Sequence, residues 1–577
     1  MTLENARNPW LLCTAALALL MACGGDGEDR VRRVQGGKQY GGVFNMNEDG
    51  GVRSIFPLHL SQAAEHRIAS QIYQGLVRFD PADLKVLPCL AERWEVDADA
   101  TTFTLHLRKD VRFHADPALT SEDDRLVDAE DVLYCFRALC TADPENRMFW
   151  LFQDKVLGAN THYANTAAGG DREAPIAGLE VLDRHTFRIK LAHPNAGFLQ
   201  VLAHQGCWIY PRQLVEAYGD DLMAHAIGTG PFKLRTYSPA EAFVLERDPD
   251  HWDRDEHGNP LPFLDAVRIT LDPDKNKELE AFLAGRLSCL TELPVDRLGL
   301  VKDSVDAAGR KRFILQSVPG SAVQFYGFNL HAPPFEDPRV RRAFSLAIDR
   351  RYLVDSVLGG LAVPAEHGLV APGLSGYPYD AVAGHRFDPE AARALLAEAG
   401  FPGGRGFPQV VLNASPGFGY IQVAEAVQDM LQRHLGVPLI LSVLPMDQHY
   451  TSIERGRARF WREGWVADLP DAENFLSLLY GKNAQADTAL PTYLNTTRYA
   501  DARFDSLFAE AQRTVDDARR MQLYAAAENK AMADAPVTPL YHERTIRLLR
   551  PDVRDMPLNA MDLRDLGRVW SDPGVSR

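Results

Sequence analysis

Val410-Val411-Leu412-Asn413 is followed by a helical run from Ala424 to Leu435, a glycine at 436, and a second apolar stretch, Leu439-Ile440-Leu441-Ser442-Val443-Leu444. The two apolar stretches have the length and branched composition of strands, and Gly436 supplies the residue that most readily ends a helix. Strand, helix and strand in that order form a βαβ unit, whose crossover sets the two strands parallel. At least part of the sheet is therefore expected to be parallel.

The pattern extends outward from this unit. Upstream, Asp388-Pro389 opens a helix with Ala392, Leu395, Leu396 and Ala399 on one face, stopped by Gly400. Asp337-Pro338 opens another, with Val340, Ala343, Phe344, Ala347 and Ile348 on its apolar face. A carboxylate at the cap and proline at the first helical position suit the unpaired N–H groups of a helix start. Nearer the N-terminus, Thr102-Phe103-Thr104-Leu105-His106-Leu107 alternates strictly, which places Phe103, Leu105 and Leu107 on one sheet face. His185 to Leu191 alternates in the same way, and between the two Asp128 caps a helix through Val132, Phe136 and Leu139. The chain reads as an α/β protein. Its 577 residues are enough for more than one core.

Composition narrows the function. Hydrophobic residues make up 46% and charged residues 24%, which suits a folded chain and not a disordered one. A net charge of −16 argues against a nucleic-acid surface, which needs clustered Lys and Arg. Arg7 precedes the apolar run Trp10 to Ala22, which is too short to span a bilayer but fits the core of a signal peptide. Leu20-Met21-Ala22-Cys23 has the form of a bacterial lipobox, so residues 1–22 are expected to be a lipoprotein leader and Cys23 the acylated residue. The membrane would then be met through a lipid anchor, in the periplasm or cell envelope. Residues 23–39, which begin Cys23-Gly24-Gly25-Asp26-Gly27, read as a flexible tether. The remaining cysteines, Cys89, Cys135, Cys140, Cys207 and Cys289, are odd in number and lack metal-site spacing, and are expected to be mostly buried structural thiols.

Enzyme signatures are missing. No G-x-S-x-G elbow, H-E-x-x-H helix, S-x-x-K set or Walker loop occurs. Gly228-Thr229-Gly230 is followed by a strand pattern, Phe232 to Tyr237, and not by the helix whose N-terminus would hold a phosphate. It reads as a structural turn. No catalysis, cofactor or metal is expected.

Four blocks resemble the extracellular solute-binding proteins of family 5, which serve dipeptide and oligopeptide ABC importers. The first runs from Gln71-Ile72-Tyr73-Gln74-Gly75-Leu76-Val77 through Leu90-Ala91-Glu92-Arg93-Trp94 and Leu107 to His114, and on to Asp128-Ala129-Glu130-Asp131-Val132. The second is Gly228-Thr229-Gly230-Pro231-Phe232 with Arg247-Asp248-Pro249-Asp250-His251-Trp252. The third is Phe328-Asn329-Leu330 with Pro334 to Ala343, and the fourth is Gly464-Trp465-Val466-Ala467-Asp468 with Asp471, Phe475 and Leu476. The resemblance implies the type II periplasmic-binding-protein fold, with two hinged lobes plus an extra N-proximal domain. Residues 40–75, 206–317 and 537–577 would form lobe I, residues 76–205 the extra domain, and residues 318–536 lobe II.

The same resemblance implies a monomer that captures a short peptide and delivers it to ABC permease subunits in the membrane. A peptide offers an ammonium and a carboxylate as constant features, and both are best held by charge-assisted hydrogen bonds away from water. By resemblance Asp468 would take the ammonium, with Trp465 as an apolar wall beside it; read alone, Asp468 could equally cap a turn ahead of Leu469-Pro470-Asp471. Arg462, and Arg455 at a shorter spacing, would by resemblance meet the ligand carboxylate, because planar guanidinium suits it. Arg457 and Arg459 read as a solvated basic face. Two alternatives stay open. The same fold could take an oligosaccharide or nickel complex, with Trp461, Trp465, Phe149 and Trp150 as stacking surfaces, or it could report ligand occupancy without transport.

Overall fold

The structure, a computed structural model, describes residues 32–572 apart from 50, 223, 239–241, 292–303, 306–310, 418, 486, 488 and 489, together with residue 574. The leader expected over 1–22, Cys23 and the first part of the tether lie outside the described residues. The tether expected through 39 gives way to structure by Arg32. Arg32–Arg33 pairs antiparallel with Gln39–Tyr40. Lys38 is anchored by Asp255 at 3.5 Å, Glu256 at 2.8 Å and Asp555 at 3.2 Å. Gly36 and Gly37 both hold positive φ inside this small hairpin.

Three larger sheets organise the rest. In the first, Phe232–Ser238, Ala242–Arg247 and Ala266–Leu271 run antiparallel, and Val43–Glu48 joins Ala266–Leu271 in parallel. In the second, the order is Ala91–Val96, Thr102–Leu107, Thr186–Lys190, Leu179–Asp183, all antiparallel. Phe103 and Leu105 are fully buried there and Leu107 nearly so, as the alternation predicts. The helix Ala129–Leu139 is capped by Asp128, whose Oδ1 accepts from the N–H of Glu130 (3.0 Å) and Asp131 (3.4 Å), and it buries Val132, Phe136 and Leu139. These two sheets share one continuous apolar core.

The third sheet has seven strands, and it contains the expected βαβ unit. Val410–Ala414 and Leu439–Val443 are parallel, with the helix Tyr420–Leu435 between them. That helix begins four residues earlier than the apolar period indicates. Gly419, at φ 71, turns the chain into it without a capping side chain, so no cap residue marks the start.

Two long strands, Ile314–Phe328 and Val537–Leu549, link the halves of the molecule. Their outer ends pair with each other and with Cys289–Leu290. Residues 323–327 continue to pair with the second strand, and residues 322–328 pair on their other side with Phe460–Val466. Midway, the register shifts between Pro319 and Val323. Gly320 sits in this interval, where an added Cβ would lie 3.0 Å from the carbonyl oxygen of Glu543. A register shift of this kind bends and twists a ribbon, which gives the two lobes their hinge.

The Gly228-Thr229-Gly230 turn also has a packing cause. A Cβ on Gly228 would meet the Ile72 carbonyl oxygen at 2.0 Å, and one on Gly230 would meet that of Gln71 at 2.5 Å. The turn lies against backbone, as a structural turn and not a phosphate cradle. Cys89, Cys135, Cys140, Cys207 and Cys289 are all free and buried. Among the described residues, no helix is long and apolar enough to cross a membrane.

Candidate ligand-binding site

Asp468 stands just past the end of the strand Phe460–Val466, on the loop that enters the helix Ala472–Leu476. Asn474 on that helix fixes the loop. Its Oδ1 accepts from the backbone N–H of Asp468 (3.2 Å) and from Trp465 Nε1 (2.9 Å). Trp465 is half-buried against the core of its own lobe, so it braces the Asp468 loop through Asn474. The helix is held in turn by Asp471. One carboxylate oxygen caps it through the Glu473 N–H (2.9 Å), and the other pairs with Arg520, whose side chain is 2% exposed.

The Asp468 carboxylate accepts no hydrogen bond and joins no ion pair among the described residues. It is reachable from solvent but lies between walls of protein, and this desolvation raises its pKa. A cavity of ≈ 130 Å³ opens beside it, lined from the other lobe by His66, Tyr73, His204, Trp208 and Leu563 among others. A larger, shallower space of ≈ 440 Å³ adjoins, bordered by Asp468, Trp150, Arg147 and Gln205. Burial depresses the neighbouring histidines, His66 to about 4 and His204 to about 3, so both rings are neutral at neutral pH. The carboxylate thus faces neutral rings, with the ion-paired charges of Arg78, Asp253, Arg564 and Asp565 also in the wall.

The arginines fall elsewhere. Arg462 is on the strand Phe460–Val466, and the period-two alternation sends its side chain to the face opposite Trp465. It is 5% exposed, stacks at 3.5 Å over the ring of Tyr420, and donates to Gln324 and, at 3.5 Å, to Ser415. Its Nε has no partner. Arg455 is the exposed C-cap of the helix Met446–Glu454, and Arg457 and Arg459 are exposed as well. Neither Arg462 nor Arg455 lines either cavity that Asp468 borders; Arg147 lines the larger one, and Arg78 and Arg564, both ion-paired, line the smaller. Sequence reading missed Arg147 because the only nearby signal was the aromatic pair Phe149-Trp150, some three hundred residues from Asp468.

Next to Arg462, Glu463 is buried. It accepts hydrogen bonds from Trp461 Nε1 (2.7 Å) and Thr496 Oγ1 (2.9 Å). Desolvation outweighs those bonds and pushes its pKa up to about 7. The folded state therefore holds this proton more tightly than the unfolded chain. The resulting stability is complete below the unfolded value near 4.5 and is lost as pH rises through about 7. Glu463→Gln keeps an acceptor without the charge. It is expected to raise stability at pH 8 by about 2 kcal/mol and to leave it nearly unchanged at pH 4.5, as measured by denaturant unfolding at both values. Equal effects at the two pH values would contradict the assignment.

Known proteins share this architecture. A di/tripeptide-binding protein of Pseudomonas aeruginosa, number 1, is 27% identical over 517 residues, 87% of this chain and 89% of the relative. The glutathione-binding protein GsiB of Salmonella typhimurium is 27% identical over 509 residues, covering 85% and 87%. The solved structure of HbpA2 from Haemophilus parasuis matches with a TM-score of 0.78 at 23% identity, over 92% of this chain and all of that one. The family model for bacterial extracellular solute-binding proteins, family 5, matches residues 85–487. With a match over most of its length and the two-lobed fold around an open carboxylate, the chain belongs to the bacterial extracellular solute-binding proteins of family 5.

Proposed function

We propose that the chain is the substrate-binding subunit of a peptide-type ABC importer, capturing short peptides by cleft closure and handing them to membrane permeases. The observation that carries this reading is the unpaired, desolvated carboxylate of Asp468 at the mouth of a cavity whose other wall belongs to the opposite lobe. A carboxylate so placed calls for a cation, and a peptide ammonium supplies one that the closing lobes can shield from water. Relatives named for di/tripeptides and glutathione support the same class of ligand. Native mass spectrometry of the purified protein, followed by denaturation, tests it. A ladder of short peptides is expected; a single oligosaccharide or metal chelate would keep the binding role and overturn the peptide assignment.

Two guanidiniums compete for the ligand's carboxylate: Arg147, which shares a cavity with Asp468, and Arg462, whose Nε is unpartnered on the other face of the strand. C-terminal amidation of the peptide should cost affinity in the wild type. The penalty should vanish in whichever of Arg147→Ala and Arg462→Ala removes the true partner. Arg455 stands as a third candidate only for ligands long enough to reach the end of its helix.

Anchoring through Cys23 completes the proposal. The acylated cysteine would keep a periplasmic binding protein at the membrane without a spanning helix. Cys23→Ala is expected to move the protein from the detergent phase to the aqueous phase; unchanged partition would remove the lipid from the account.

A further inference from the structure

The ≈ 130 Å³ cavity beside Asp468 is about ten times the roughly 10–15 Å³ that admits one water, so it has the size of a side chain. Its walls come from several separate stretches of chain, among them those of Tyr73, Ala203 and Trp208, His251, and Leu563. Rings cluster in it: Trp208 stacks on His66 at 5.4 Å and on Tyr73 at 6.4 Å. The charged groups of its lining other than Asp468 are already committed, Asp565 to Arg568 at 3.4 Å among them. Asp253 holds Arg78 at 2.8 Å and Arg568 at 2.9 Å, and Arg564 is held by Glu48 at 3.2 Å and Asp562 at 2.7 Å.

Two polar atoms of the lining are buried and unsatisfied. Tyr73 is 1% exposed and its hydroxyl has no hydrogen-bond partner, and His251 Nδ1 has none either. Leaving such groups unpaired costs about 1–3 kcal/mol each, so a cavity that keeps them is arranged for an occupant able to meet them. An apolar pocket with a few such groups is also the usual form of a small-ligand site.

We infer that this cavity receives the side chain of the ligand's first residue, the one whose ammonium Asp468 holds, and that it selects neutral aromatic side chains, tyrosine above all. The inference rests on the peptide reading given above. The ring of the incoming residue lies among Trp208, Tyr73 and His66, and its hydroxyl meets Tyr73 Oη or His251 Nδ1. Acidic and basic side chains find no free counter-charge in the pocket, so both lose their hydration without replacement.

Titration calorimetry of the full chain with tripeptides of the form X-Ala-Ala tests this. Peptides headed by tyrosine and phenylalanine should bind at least tenfold more tightly than the one headed by alanine, with tyrosine ahead of phenylalanine and glutamate weakest. Tyr73→Phe should narrow the tyrosine-over-phenylalanine ratio while keeping the phenylalanine-over-alanine ratio. Ala203→Leu, which fills the cavity, should collapse the aromatic-over-alanine ratio. Equal binding of the tyrosine, phenylalanine and alanine peptides by the wild type overturns the inference and leaves peptide capture standing. Failure to bind any of them overturns both.

Discussion

Asp468→Asn is expected to weaken peptide binding by roughly 2–4 kcal/mol, on the order of 30- to 1,000-fold in Kd. The substitution keeps the size of the side chain and its loop, whose fixed point is the backbone N–H bonded to Asn474. What it removes is the charge that an ammonium would find inside the closing cleft. Acetylating the peptide's N-terminus removes the other half of the pair. Acetylation should therefore cost the wild type about as much as the mutation does and should cost the variant little, which is the signature of direct coupling. Acidity provides a second check. Desolvation raises the Asp468 pKa, so affinity should begin to fall on acidification at a pH above the ordinary carboxylate range, while the peptide ammonium stays charged. A wild-type Kd in Asp468→Asn would end the assignment.

Asp471→Asn is expected to cost stability instead, by about 3–5 kcal/mol. Asn can still cap the helix Ala472–Leu476 through its side-chain oxygen, so the cap is spared. The loss comes from Arg520, whose side chain is 2% exposed against 6% for Asp471 and which would be left with only Asp517, an exposed carboxylate at 2.9 Å. A buried guanidinium without its partner keeps its desolvation penalty and loses the attraction that offset it. Chemical denaturation reads the loss. The paired change Asp471→Leu with Arg520→Met should recover much of it, because an apolar pair leaves no buried charge behind. A single variant within about 1 kcal/mol of wild type would show that the pair does not hold the loop. The proposed binding loop and the core thus meet within four residues: Asp468 faces the cavity and Asp471 faces Arg520.

Local elements were legible because their signals are local. Asp128, Asp337 and Asp388 cap the helices they were expected to cap, since an aspartate ahead of an apolar period answers to its own backbone. The parallel pair Val410–Ala414 and Leu439–Val443 followed from length and order alone. The long strands Ile314–Phe328 and Val537–Leu549 did not announce themselves. In the first, residues 314–319 are exposed or half-buried on both faces while 320–328 are buried on both; in the second, both ends are buried on both faces and only 543–546 are half-buried, so no single period runs through either.

The site was only partly legible for a related reason. Asp468 and Trp465 lie in one short motif, and the structure joins them through Asn474. The opposite wall collects His66, Tyr73, His204, Trp208, His251 and Leu563, which share no motif with Asp468 and meet only through the fold. Arg462 shows the reverse difficulty. Its spacing from Asp468 is right by resemblance, yet an odd offset from Trp465 along a strand places the two side chains on opposite faces.

The ion pair between Glu48 and Arg564, 3.2 Å apart and both nearly inaccessible, ties the two ends of the described chain together. Gln71 reinforces it, donating to the Arg564 carbonyl at 3.0 Å and accepting from the Leu566 N–H at 3.1 Å. The early part of the chain is sealed by residues synthesised some five hundred positions later. The lobe that holds Glu48 and Gln71 is therefore complete only with the segment around Arg564 in place.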